Sequence, residues 1–153
     1  LSDLVDDLPA LHLAIWFHDA VNDSQAKDNE ARSAQMARDM LKPWNLSEAR
    51  LDHIADLILA TAHLETPNVS DATAVLLDAD LAILGAEEWR YAKYAAAIRQ
   101  EYAWVEEAAY REGRSKVLRS FLGRERIYRT ERMHAVGEEP ARRNLQNELA
   151  TLS

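Results

Sequence analysis

Four groups of residues carry side chains able to do chemistry. His18 and Asp19 stand side by side in the apolar run Trp16–Phe17–His18–Asp19–Ala20–Val21. An imidazole and a carboxylate buried together are costly unless each finds a partner, and one divalent cation partners both. Helix neighbours lie about 100° apart, so both can address an ion held over the edge between them. The plainer alternative is an aspartate that caps a loop beside a satisfied core histidine. Asp78 and Asp80 lie two positions apart in AVLLDADLAILG, which is about 200° on a helix. They cannot both face one site, so one can serve as a ligand while the other is solvated or pairs elsewhere. His63 closes LATAHLE, where it either answers a helix macrodipole or touches substrate. Lys27 and Arg32 flank a helix start in KDNEARS, a place suited to phosphate and, more commonly, merely solvated.

The elements that must position these groups are helices. Residues 10–21 are apolar nearly all round and read as a buried helix. A polar turn over 22–29 follows, and helical spacing of Ala34, Ala37 and Leu41 runs from Glu30 to just before Pro43. Ser47 is an N-cap for a helix whose stripe is Leu51, Ile54, Ala55, Ile58, Leu59 and Ala62. Pro67 breaks the chain, and Ser70 or Asp71 caps a helix carrying Val75, Leu76, Ala79 and Ile83 that stops near Gly85. A long helical pattern covers 87–108, Gly113 interrupts, 114–122 continues, and a short closing helix follows Pro140.

The composition agrees. The chain has 153 residues, 48% apolar and 29% charged, with only four glycines and four prolines. That predicts an all-α fold in a single domain over 1–153. The net charge of −8 disfavours polymeric nucleic acid and anionic membrane as partners, while a metal or a local basic cluster still admits a small phosphate. Without cysteine there is no disulfide and no thiolate chemistry. No apolar run approaches the ~20 residues of a membrane span, and no secretory signal is visible, so the expected location is cytoplasmic.

In order, HD, then KDNEARSA, then T-x-H, then LLDADLAILG, the sequence resembles the HD-domain superfamily, in particular the bacterial predicted metal-dependent HD phosphohydrolases. The likeness continues through YAKYAAAIRQEY, GRSKVLRSFLGRERIY and the NLQNEL tail. It implies an HD-type helical bundle that binds one divalent metal (Mn, Fe, Co, Ni, Zn or Mg) and hydrolyses a small phosphoester such as a nucleotide. It assigns His18, Asp19 and Asp80 as metal ligands, with Asp78 as fallback, since A-D-hydrophobic matches Ala79–Asp80–Leu81. Asp19 would also orient or deprotonate the attacking water, and His63 would assist. Lys27 and Arg32 would meet the substrate, with Arg99 and Arg114 as further candidates. Two departures stand out. The family's first histidine precedes the HD pair by tens of residues, and no match lies among the 17 residues before His18, so an N-terminal segment is expected to be missing. His12 does not replace it, being about 120° round the helix from His18 and about 9 Å along it. Asn22 stands where the family carries an aromatic residue.

Two other readings compete. A helical binding or regulatory domain would keep the fold without a competent metal site. An interaction module would dock a partner on Trp89, Tyr91, Tyr94, Tyr102 and Trp104, although ordinary packing explains such a face more simply. Apolar helix faces also leave room for a homodimer.

Overall fold

A computed structural model describes residues 5–62 and 69–152. Every regular element among them is helical, as the composition predicts. The chain gathers into two compact units, Leu1–Asp80 and Leu81–Ser153.

In the first unit, α1 (Leu8–Phe17) starts with Asp7 accepting from the Ala10 amide at 3.0 Å and with a proline in its first turn. Helix α2 (Asn29–Leu41) runs into a short 3-10 turn, Lys42–Trp44, and the chain then reverses at Asn45 with φ of 54°. Helix α3 (Glu48–Ala60) is capped by Ser47 as its sequence foretells, and α4 spans Asp71–Asp80. Small residues let these helices approach closely: Ala10 and Ala14 on α1, Ala34 and Ala37 on α2, and Ala55 on α3 are buried with Leu11, Leu41, Ile54, Ile58 and Leu76. Arg50 of α3 reaches Asp7 at 2.6 Å and holds that carboxyl below its ordinary value.

Helix α1 is shorter and wetter than its sequence suggests. It ends at Phe17, where Ala20 N–H turns back to the Phe17 carbonyl at 3.1 Å. Val21 N–H is taken instead by the buried hydroxyl of Ser33 on α2, at 3.0 Å. Only Ala10, Leu11 and Ala14 are fully buried, whereas Trp16 is 82% exposed. Near-uniform hydropathy hid which face packs, because no periodic signal separates the faces of an all-apolar helix.

In the second unit, a 3-10 segment (Leu81–Gly85) leads to α5 (Glu88–Glu101), α6 (Glu107–Leu122) and α7 (Glu131–Thr151). Leu84, Tyr91, Leu118, Ile127, Tyr128, Ala141 and Leu145 form its core. The Asn144 amide of α7 donates to the carbonyls of Leu84 and Ala86 at 2.8 and 2.9 Å and so fixes the end of the 3-10 segment.

Three boundaries differ from the sequence pattern. The helix expected over 87–108 breaks after Glu101, where Arg99 donates to the Tyr102 carbonyl at 2.8 Å and Glu106 caps α6. Helix α6 passes through Gly113, since burial of Tyr110, Ser115 and Leu118 outweighs one unfavourable propensity. Helix α7 starts at a Thr130 cap and passes through Pro140. The missing Pro140 N–H deprives the carbonyl of Val136, an exposed residue where water can substitute. The 123–130 loop is held from α7: Glu138 accepts from the amides of Ile127 and Tyr128 at 3.0 and 3.3 Å, and Arg142 donates to the carbonyls of Leu122 and Arg124 at 3.0 and 2.7 Å. Burial works against the Glu138 charge, yet these donors hold its carboxyl below its ordinary value.

Candidate metal centre at the end of α1

His18 is the C-cap of α1, and Asp80 is the last residue of α4. Their side chains meet: His18 Nε2 lies 3.4 Å from Asp80 Oδ1, with the two side chains 24% and 34% exposed. The other imidazole nitrogen, Nδ1, lies 2.8 Å from the carbonyl of Ile15. A carbonyl can only accept, so Nδ1 carries the proton there and a neutral ring turns the Nε2 lone pair towards Asp80. Lone pair against carboxylate is repulsive. The contact needs a cation, either a second proton on His18 or a metal ion. The Asp80 hydrogen bond accordingly raises the His18 pKa, burial opposes it, and the Ile15 carbonyl and the charge of Asp19 add to the rise. The carboxyl end of α1 favours positive charge at the same point.

Asp19 is exposed, and its carboxylate accepts from the Asn22 amide at 3.5 Å. Its charge acts on His18, but among the described residues no three His, Asp or Glu side chains gather closely enough to hold an ion together. The two aspartates of α4 part as their spacing requires: Asp80 faces His18, and Asp78 is fully buried with a partner of its own. His63 lies outside the described residues.

The polar segment after the HD pair is a built loop. The Asn29 side chain accepts from Asp23 N–H at 3.2 Å and donates to the Asp23 carbonyl at 2.9 Å. Ser33 is buried and holds Val21 on both backbone polar atoms. Lys27 and Arg32 are exposed beside this loop in sequence, with Glu30 in the first turn of α2. The anchoring roles of Asn29 and Ser33 escaped the sequence reading, which treated both as part of a phosphate-facing or solvated helix start. The one available signal was a serine four positions before the apolar Ala37 on the buried stripe.

Arg99 and Arg114 both lie in the second unit with their guanidinium groups engaged. Arg99 pairs with Glu107 at 2.9 Å and covers the Tyr110 ring at 4.5 Å. Arg114 forms a two-pronged pair with Glu148 at 2.7 and 2.9 Å, each side chain 9% exposed. The Tyr91 hydroxyl donates to the same carboxylate. Burial opposes the Arg114 charge, but Glu148 more than offsets it, and the Arg114 pKa is raised. Burial pushes the Tyr91 phenol up, and Glu148 adds to that.

The chain matches no family model, no curated protein and no solved structure. No described helix is long and apolar enough to cross a membrane.

Proposed function

We propose that the protein is a metal-dependent phosphohydrolase of small phosphoesters, with a nucleotide as the leading substrate class. The observation that supports this best is the commitment of His18 Nδ1 to the Ile15 carbonyl, which leaves Nε2 and Asp80 Oδ1 as a nitrogen–oxygen donor pair with a cation-sized demand between them. Imidazole with carboxylate suits Mn, Fe, Co, Ni or Zn better than Ca. His18 and Asp80 would hold the ion, with Asp19 as third ligand after a side-chain rotation away from Asn22. A bound divalent ion supplies positive charge to the phosphoryl group and eases deprotonation of water. In this reading Asp19 orients the attacking water and takes its proton. Lys27 and Arg32, exposed at the start of α2, attract the phosphate, and His63 contacts substrate.

The alternative is a helical binding domain, and the closed His18–Asp80 contact favours it: an imidazolium satisfies Asp80 with no metal at all. Elemental analysis after incubation with Mn or Zn, beside a phosphoester screen, separates the two. The phosphohydrolase reading expects about one metal per chain in the parent, and both metal and hydrolysis lost in Asp80→Asn with helical content retained. Metal-free parent protein, or equal hydrolysis by the variant, refutes it.

A further inference from the structure

Two polar side chains of α2 take no part in the chemistry above, and both grip the segment that follows Asp19. Ser33 is fully buried on the face of α2 that also buries Ala34 and Ala37. Alanine is the better helix former at such a position, and a buried hydroxyl is costly unless it is bonded. Ser33 Oγ accepts from Val21 N–H at 3.0 Å and donates to the Val21 carbonyl at 3.4 Å. One turn earlier, Asn29 does the same for Asp23, accepting from its N–H at 3.2 Å and donating to its carbonyl at 2.9 Å. Residues four apart share a helix face, so one face of α2 holds residues 21 and 23 by all four of their backbone polar groups.

The upstream end of the same segment is pinned as well. His18 N–H bonds the Ala14 carbonyl at 2.8 Å, and Ala20 N–H bonds the Phe17 carbonyl at 3.1 Å. On a continued α1, Val21 N–H would pair with the Phe17 carbonyl; Ser33 takes it instead and so ends the helix at the HD pair. His18, Asp19 and Ala20 are all that lies between the last residue of α1 and the first clasped residue. Their backbone is fixed from both sides, while the Asp19 side chain is exposed. A ligand placed in this way reaches an ion by turning about its own side-chain bonds, with no backbone left to order.

We infer that Ser33 is a positioning residue of the metal centre, supported by Asn29: hydroxyl and amide together lock the backbone at Val21 and Asp23, so that Asp19 is presented as third ligand beside His18 and Asp80. This rests on the metal-dependent reading of that site.

Cobalt(II) is the probe, used on the full chain, because its visible absorption reports the ligand set as well as occupancy. In the metal-free protein, Ser33→Ala should speed hydrogen exchange of the Val21 amide by about tenfold or more. In a cobalt titration it should weaken binding about ten- to a hundredfold and alter the absorption bands, the usual effect of removing a hydrogen bond that orients a metal ligand. Ser33→Thr keeps the hydroxyl and should recover both the protected amide and the cobalt affinity. If Ser33→Ala misfolds, Asn29→Ala takes its place, with faster exchange at Asp23 and cobalt binding weakened about three- to tenfold. A folded Ser33→Ala protein, or Asn29→Ala in its place, that binds cobalt with the parent's affinity and bands overturns the inference and leaves the clasp a purely structural anchor. Weak cobalt binding by Ser33→Thr with the Val21 amide still protected overturns it too, since the clasp would then be intact and the site impaired. A parent chain that takes up no cobalt is a different outcome: it removes the phosphohydrolase reading itself, and the positioning role falls with it whatever the amides show.

Discussion

Single residues divide into those that hold structure and those left for chemistry, and the division follows from who satisfies whom. Arg114 looks in sequence like any surface arginine with a phosphate to meet, yet it is buried against Glu148 with both prongs engaged. Removing one partner from such a pair strands the other charge, so Arg114→Ala should lower stability by about 3–5 kcal/mol, read by urea unfolding. Replacement of both by Leu should cost much less, because no orphan charge remains. Asp7 makes a pH-dependent contribution. Its Arg50 pair and its cap to Ala10 hold its folded pKa below the ordinary 3.8, so its stabilisation is fully present above that value and fades as pH falls through the folded one. Asp7→Asn should therefore lower the melting temperature at pH 6, with the gap to the parent closing towards pH 2–3. A gap that stays constant with pH would assign the effect to the cap alone. At this scale the sequence told which residue types could do chemistry, but not their partners. Partnership is a three-dimensional property, and Glu148 lies 34 positions from Arg114.

At the level of elements, the helices with clear periodicity were legible and those defined by tertiary contact were not. Helix α3 combines an Ser47 cap with a regular apolar stripe, and α2 ends where Pro43 says it must. The end of α1, the break after α5 and the full length of α7 depend instead on Ser33, Arg99, Thr130 and Glu138, side chains whose targets are remote or irregular backbone. Glycine shows how context sets the sign of one substitution. Gly137 sits inside α7 with the Tyr128 ring so close that a Cβ would lie 2.8 Å from its Cε2, and Tyr128 is fully buried and cannot yield. Gly137→Ala should lose about 1–3 kcal/mol to overpacking, less the helix-propensity gain. Gly113→Ala, facing open space, should gain about 0.5–1 kcal/mol. Tyr128→Phe should not rescue Gly137→Ala, since the offending atom is a ring carbon that phenylalanine retains; a double-mutant cycle read by thermal melting checks this.

Across the whole molecule, composition was enough to foretell an all-α protein, because scarce breakers and abundant helix formers leave few other ways to pair backbone groups. It could not foretell how the cores divide. Alternating helices of similar hydropathy carry no mark of which neighbours share a core, and the chain in fact closes one core around Leu11, Ile54 and Leu76 and another around Leu118, Tyr128 and Leu145. The division falls just after Asp80, so both members of the His18–Asp80 pair belong to the first unit. The metal centre should then respond to the first core and not to the second. Leu118 is completely buried, and truncating such a leucine costs about 2–5 kcal/mol. If each unit opens on its own, Leu118→Ala should speed amide hydrogen exchange across α5, α6 and α7 while the amides of α1 to α3 keep the protection they have in the parent. It should leave metal uptake at His18 and Asp80 unchanged. Ile54→Ala should speed exchange across α1 to α3, spare α5, α6 and α7, and lower metal uptake. Loss of protection in both units together from either single change would mean that the chain unfolds as one cooperative domain, and the stability of the metal centre would then depend on every buried side chain in it.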